Sequence, residues 1–490
     1  MDLTKRQQMD LVQSKRSSQD DCVILTKRQN VIFLCLSIVV RAAEPDWPQF
    51  RGPDLNPVGT SKSLPDRWSK SENVEWVANI PGRGWSSPIV TGGKVFLTTA
   101  VTEGKSKIPQ IGTTYSTDYE RELKAKGFTA EEAEAKLIER DIEMPNEVML
   151  HYWVYCLDLK TGAVDWKYEL YSGHPPGGRH RKASFTSETP ITDGKAVYVY
   201  IANLGLWSFD MKGKLLWNEK LEAYPMFGDC GSGASPALAG DQLIILSDND
   251  KQQFIASYDK RSGKRLWQTG RDLKVSYMRT GWSTPFVWRN PLRTEIVAMG
   301  PGTAISYDLE GKELWRLSGM SMIAIPTPFA HDGWLYVDGG SKGPMFVVKP
   351  GASGDISLKN DAPERSNEFI AWSDPKGGTY SPTPVVYEGG LYVLNEVGIL
   401  TRFDAKTGAQ SYKQRLARDG SGAFTSSPWA YNDKIFCLDE EGKAYVVKAG
   451  ATFEVLHVNS QDEMALATPA IVGDRLLLRT ETKLYSIRGK

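Results

Sequence analysis

The stretch SYDKRSGKRLW, residues 257–267, has a near copy in CLDLKTGAVDW, residues 156–166. Both put Asp third, Gly seventh and Trp eleventh: Asp259, Gly263 and Trp267 in one, Asp158, Gly162 and Trp166 in the other. One residue shorter, the phrase returns as SFDMKGKLLW (208–217) and SYDLEGKELW (306–315), and RFDAKTGAQSY (402–412) ends in Tyr412 instead of Trp. These residue types spell a turn. An Asp carboxylate accepts hydrogen bonds from the amides just downstream, and Gly tolerates a positive φ. The aromatic residue then opens a strand with a large apolar face that can dock on a neighbouring sheet. Trp166, Trp217, Trp267, Trp315 and Tyr412 are the expected docking residues.

A second signal surrounds the first. A Ser-Pro or Thr-Pro pair followed by an apolar run and a Gly, Asp or Asn turn recurs eight times, at prolines 88, 190, 236, 285, 328, 384, 428 and 469. After a first gap of 102 residues, the gaps run from 41 to 56. That is the period of a four-stranded propeller blade, roughly 40–50 residues. Each unit reads as two strands, a third ending in the opening phrase, and a fourth beginning at its aromatic residue. The expected fold is all-β, an eight-bladed β-propeller.

The chain ends define how such a ring closes. The last unit, ATPAIVGDRLLLRTETKLYSIRGK, supplies only three strands before Lys490. NVEWVANI (73–80), with Trp76 in the docking place, supplies a fourth. A propeller fastened by its N-terminal strand leaves no open edge between first and last blades. The domain reading is an N-terminal extension over 1–43 and one propeller over 44–490. The long first gap holds an insertion at about 103–150, between the second and third strands of blade one. Within it EEAEAKLIER, preceded by Thr129 as cap, reads as a short helix, suited to a lid, a partner contact or a plain solvated loop.

Composition removes several function classes. Lys plus Arg (59) equals Asp plus Glu (59), so no net field draws nucleic acid or an anionic membrane. Length alone suggests about three domains, which the repeat replaces with one. The cysteines at 22, 35, 156, 230 and 437 form no CxxC and no adjacent pair, so neither a disulfide framework nor a zinc knuckle is indicated. TKRQN followed by the ten-residue apolar run VIFLCLSIVV and small residues at Ala42 and Ala43 reads as a secretory signal cleaved near Ala42. The run is short for a bilayer span. The mature chain is expected to be periplasmic or secreted, without a stable membrane span, and monomeric.

The turn phrase is similar to the pyrroloquinoline-quinone (PQQ) repeat, AxDxxTGxxxW, of quinoprotein-type eight-bladed propellers, over about residues 45–490. WPQFRGP (47–53), GRGWSSP (82–88), GASGDISL (351–358) and LATPAI (466–471) resemble the secreted PQQ-binding-like repeat proteins of bacteria. That superfamily includes PQQ alcohol dehydrogenases and the scaffold lipoprotein BamB. The resemblance implies the fold; activity varies freely on such folds. A quinoprotein dehydrogenase would bring vicinal cysteines under the quinone, a Glu/Asn/Asp calcium set, an Asp base and a stacking Trp. Cys230 in FGDCGSGASP is solitary, and no calcium set aligns residue by residue. PQQ with calcium is thus compatible with the fold and unsupported by the site residues, and no catalytic, cofactor-binding or metal residue is assigned.

Other chemistries are weaker still. GMSMI (319–323) lacks the second Gly of a nucleophile elbow. GSGASP opens a strand, where a phosphate loop would open a helix. In HPPGGRHRK (174–182) the spacing of His174 and His180 matches no standard metal motif, and the stretch reads as a solvated basic loop that could alternatively hold a carboxylate or phosphate. A ligand site, if present, belongs where the loops from outer strand to next inner strand converge on the channel. Those loops carry Arg83, Trp85, Arg179, His180, Glu188, Asp229, Trp282, Ser321, Tyr380, Thr425, Glu463 and Met464. Two functions follow: a non-catalytic platform for a protein or glycan partner, favoured, and a quinoprotein-type oxidoreductase as the alternative.

Overall fold

A computed structural model of the chain describes residues 46–102, 123–133, 135–136, 148–359, 365–417 and 422–489. The signal segment, Ala42 included, lies outside these residues, as does most of the insertion. The described strands make eight sheets, each antiparallel in its first four strands. In chain order the blades occupy 89–173, 191–220, 237–270, 286–318, 329–374, 385–415, 429–460 and 470–488. The eighth blade gains its outer strand from Val74–Asn79, which pairs with Lys483–Arg488 in the register Trp76↔Ser486 and Ala78↔Leu484.

Middle strands read as continuous apolar runs because both of their faces are covered. Ala196–Ile201 is buried at every position, whereas the outer strand Leu215–Lys220 alternates or faces solvent. The core consists of layers between blades. Ile296 and Ile305 of blade 4 pack on Ile244 and Ile255 of blade 3, and Leu476 and Leu478 of blade 8 share a cluster with Val95 and Leu97 of blade 1.

The turn phrase behaves as a fastener between neighbours. Asp158, Asp259 and Asp404 each accept two downstream amides and a Thr or Ser hydroxyl, at 2.7–3.2 Å. The glycine has a second purpose beside its backbone angle. A Cβ on Gly263 (φ +73) would stand 2.5 Å from the ring of Trp217, the aromatic residue of the preceding blade. Trp217 Nε1 also donates to Lys260 O in the same turn, at 2.9 Å. Trp76 sits likewise over Gly162, Trp166 over Gly213 and Trp267 over Gly311.

Blades 4 and 5 depart from this scheme. The third-to-fourth connection of blade 5 is expanded, and its Gly354–Asp355 runs parallel beside Glu313–Ser318 as a fifth strand of blade 4. Trp315 is therefore fully buried and donates to Glu295 of its own blade at 2.7 Å. Blade 5 docks through Trp372, which the sequence reading did not single out, over Gly408 with a bond to Ala405 O at 3.0 Å. Tyr412 meets Phe453 of blade 7 edge-on.

Residues 47–59 cross the ring at the far ends of the inner strands. Trp47 pairs with Val90, Pro48 O accepts from Thr192 of blade 2, and Gly59 N donates to Ala430 of blade 7. Between them, the buried Arg51 donates to the carbonyls of Leu55, Thr383 and Pro384 at 2.7, 2.9 and 2.5 Å. Burial without a carboxylate partner pushes its guanidinium down to about 9. In the insertion, Thr129 and Glu132 form a reciprocal capping box (2.8 and 3.2 Å) at the start of a short helical turn.

Candidate functional site

The Ser/Thr-Pro pairs stand where each inner strand begins, and the reason for the hydroxyl lies in the neighbouring blade. The amide of Ser87 donates to the hydroxyl of Thr189, Thr189 to Ser235, and Ser235 to Thr284, at 2.9–3.0 Å. Thr327 likewise donates to Thr383, Thr383 to Ser427, and Ser427 to Thr468, at 2.9–3.1 Å. Proline cannot donate, so the residue before it carries the bond that links blade to blade. These eight residues gird a single cavity of about 400 Å³ at the mouth of the channel, with Phe50 of the crossing segment also on its lining. The cavity is a cup of the size that small ligands occupy.

Five of the residues expected from sequence line this cup: Trp85, His180, Trp282, Tyr380 and Thr425. Both indoles are held by their N–H groups, Trp85 to Lys182 O at 2.7 Å and Trp282 to Gly231 O at 2.8 Å. His180 receives the Lys182 amide at Nδ1 (3.3 Å). Burial, then the charges of Arg181 and Lys182, pushes His180 down to about 4, so the ring is neutral and carries its proton on Nε2. Burial raises the Tyr380 phenol and the Cys230 thiol above their ordinary values.

The other expected residues hold the loops. Arg83 pairs with Glu481 at 2.5 Å and bridges to Ala100. Arg179 Nη1 reaches Ala183 O within its own loop at 3.0 Å. Glu188 is buried, takes the Ala202 amide at 3.2 Å and the Ser232 hydroxyl, and burial raises its carboxyl. Asp229, at a left-handed φ of 53°, accepts from Gly178 N at 2.7 Å. Ser321 donates its amide to Gly339 O, at 2.7 Å. Glu463 binds Thr482 and Lys483, bonds that hold its carboxyl low against the opposing effect of burial. Met464 packs with Trp85 and Leu466 beside the rim.

Sequence reasoning missed the charged pair of the site. Lys182 Nζ lies 2.7 Å from Glu440 Oε1, with side chains 11 % and 0 % exposed, and the Thr425 hydroxyl donates to the same oxygen at 2.7 Å. Glu440 sits in LDEEGK, which reads as a solvated turn; nothing local marks it. The cup is two-sided. His180 and Lys182 put polarity on the wall nearest blades 1, 2 and 7, while Met278, Trp282, Ile323 and Ile325 from the loops around blade 4 make the wall across the ring apolar.

Structural comparison places the fold among known propellers. The BamB of Moraxella catarrhalis aligns with a TM-score of 0.50 at 13 % identity, over 68 % of this chain and 91 % of that one. The quinohemoprotein alcohol dehydrogenase of Comamonas testosteroni aligns at 0.58 and 12 % identity, over 91 % and 81 %. A europium-containing methanol dehydrogenase aligns at 0.56 and 11 %, over 89 % and 90 %. At these identities the likeness is one of fold. No curated protein matches the chain. A family profile described as outer membrane protein assembly factor BamB matches residues 151–298 and 300–490, more than half of the chain. The chain, a PQQ-repeat propeller, belongs to that family.

Proposed function

We propose that this protein is an extracytoplasmic, non-catalytic binding propeller whose occupied surface is the cup at the channel mouth. The observation that carries the reading is the cup's lining. Its two indoles are locked by bonds to backbone, its lysine is paired, and six of its eight inner-strand hydroxyls are fixed by neighbouring amides. Rigid aromatic anchors with a few placed polar groups are what recognition requires. The location is supported by the secretory pattern of residues 26–43 and by the family, and no helix among the described residues is long and apolar enough to cross a membrane.

The fold also raises PQQ with calcium, and the residues present do not fit that group. PQQ carries three carboxylates and works beside a cation that needs several oxygen ligands. The one charged side chain on the lining is Lys182, already paired to Glu440; His180 is neutral, and no Asp or Glu is on it. Among the described residues no cluster of three or more His, Cys, Asp or Glu could hold a metal ion. We therefore derive no step through the quinone.

The test is to add PQQ and calcium to the purified protein, then follow quinone absorbance and alcohol-dependent dye reduction. The expected result is no turnover, with tryptophan fluorescence responding to ligands of the cup. Turnover that survives dialysis of free quinone would replace this reading with the oxidoreductase one.

A further inference from the structure

The chemical demand of the cup can be read from which of its polar groups remain uncommitted, an inference that rests on the cup being a binding site. A hydroxyl that accepts an amide keeps its own proton to donate. Among the described residues, none of the eight girdle hydroxyls donates to another protein group, and all eight line the cavity. Lys182 spends one N–H on Glu440 and keeps two. His180 accepts at Nδ1 and so offers Nε2–H. Two acceptors beside them are engaged: Glu440 takes Lys182 and Thr425, and Lys182 O takes Trp85. The cup therefore offers many uncommitted donors and no carboxylate on its lining.

Such a lining asks for an acceptor-only group. A carboxylate is one, with two oxygens and about four lone-pair sites. A sugar is served less well, because its hydroxyl protons find no carboxylate on the lining and only the girdle oxygens to accept them. Charge limits the number of anions: Lys182 and Glu440 cancel, so the wall holds a carboxylate by hydrogen bonds from Lys182, His180 and the girdle and gives a second anion no counter-charge. The remaining volume is bounded by Met278, Trp282, Ile323, Ile325 and Phe50, which suit an aromatic or aliphatic body. We propose that the cup binds a monocarboxylate with an apolar body, its carboxylate toward Lys182, His180 and the hydroxyl girdle and its body against the wall of Trp282 and Ile325.

Calorimetry on the full chain tests this with 3-phenylpropionate against its neutral isostere 3-phenylpropanol, and with maltotriose as the glycan. A pentapeptide ending in phenylalanine, as free acid and as amide, separates a free acid from a peptide terminus as the carboxylate source. The acid, or the free-terminus peptide, should bind about tenfold more tightly than its neutral counterpart, since charge-assisted bonds contribute roughly 1.5–3 kcal/mol. That preference should vanish in K182M/E440Q, which leaves neither buried charge alone. It should fall at least about threefold in S87A, which removes one donor from the wall of blades 1, 2 and 7. The Ser87 hydroxyl accepts no amide and its own amide bond to Thr189 is kept, so S87A should melt like the wild type. Equal binding of acid and alcohol, or binding of maltotriose alone, would overturn the carboxylate assignment while leaving the cup a binding site. No binding by any probe would also overturn it. Quinone turnover in the preceding assay would remove both.

Discussion

Replacing Gly263 by alanine tests the fastening of blade to blade at one atom. Two costs add there. An L-residue at φ +73 carries about 1–2 kcal/mol of backbone strain. The new methyl would also stand 2.5 Å from the Trp217 ring, a separation that real contacts do not sustain, so the indole must move. Moving it loosens the bond to Lys260 O, about 1 kcal/mol, and crowds the interface by roughly 1–3 kcal/mol. The total is about 3–6 kcal/mol. Gly240 in the same blade gives the control, because at φ +64 a methyl there meets nothing within 4 Å. G240A should therefore cost only the strain. Denaturant titration followed by hydrogen exchange in blade 3 suits a chain of this size, where a single two-state transition is not assured. In a Trp217→Ala background the excess cost of G263A over G240A should disappear, as a double-mutant cycle requires. If G263A and G240A cost the same in the wild-type background, the glycine serves the turn alone and the fastening argument fails.

Two further outcomes follow from buried charges. Asp338 is fully buried, accepts the amides of Gly340 and Thr379 on one oxygen, and is pushed up to about 7 by burial. The folded state then holds a proton that the unfolded state has lost between about pH 4 and pH 7, so stability falls as pH rises across that window and levels above it. D338N fixes the neutral form, and its thermal midpoint should match the wild type at about pH 4 and below and exceed it increasingly up to about pH 7; an identical pH slope in both proteins would contradict the assignment. Arg51→Leu removes three charge-assisted bonds, two of which tie the crossing segment to the start of blade 6, and should destabilise the protein by about 3 kcal/mol or more and expose residues 47–59 to protease. An unchanged cleavage pattern would mean that the segment is held by other contacts.

The ring was legible because its two signals are local and repeated. A Ser/Thr-Pro pair marks every inner strand, and an Asp-Gly-aromatic phrase marks most docking turns. Trp315 and Trp372 show the limit. Their roles depend on where Gly354–Asp355 runs, a pairing between elements that no spacing records. The cup was legible in part for a similar reason. Converging loops named Trp85, His180, Trp282, Tyr380 and Thr425, but a loop residue's direction depends on its partners. Arg83, Glu188 and Glu463 turn to neighbouring strands and hold the loops. Glu440 and Phe50 reach the site from a tight turn and from the crossing segment, and only the closed ring brings them there.

A cup walled from every side exists only if eight sheets form one circle that the two chain ends complete. The direct probe is a cysteine pair at Asn79 and Lys483, residues directly opposite in the register of the N-terminal strand against the last. Opposed antiparallel residues have Cα atoms about 4.5–5.5 Å apart, within disulfide reach. In a background with Cys22, Cys35 and Cys230 replaced by Ser, and with Cys156 and Cys437 buried, mild oxidation should link N79C to K483C quantitatively within one molecule, identified by peptide mass spectrometry. Absence of that link, or a link found only between molecules, would contradict the closed ring.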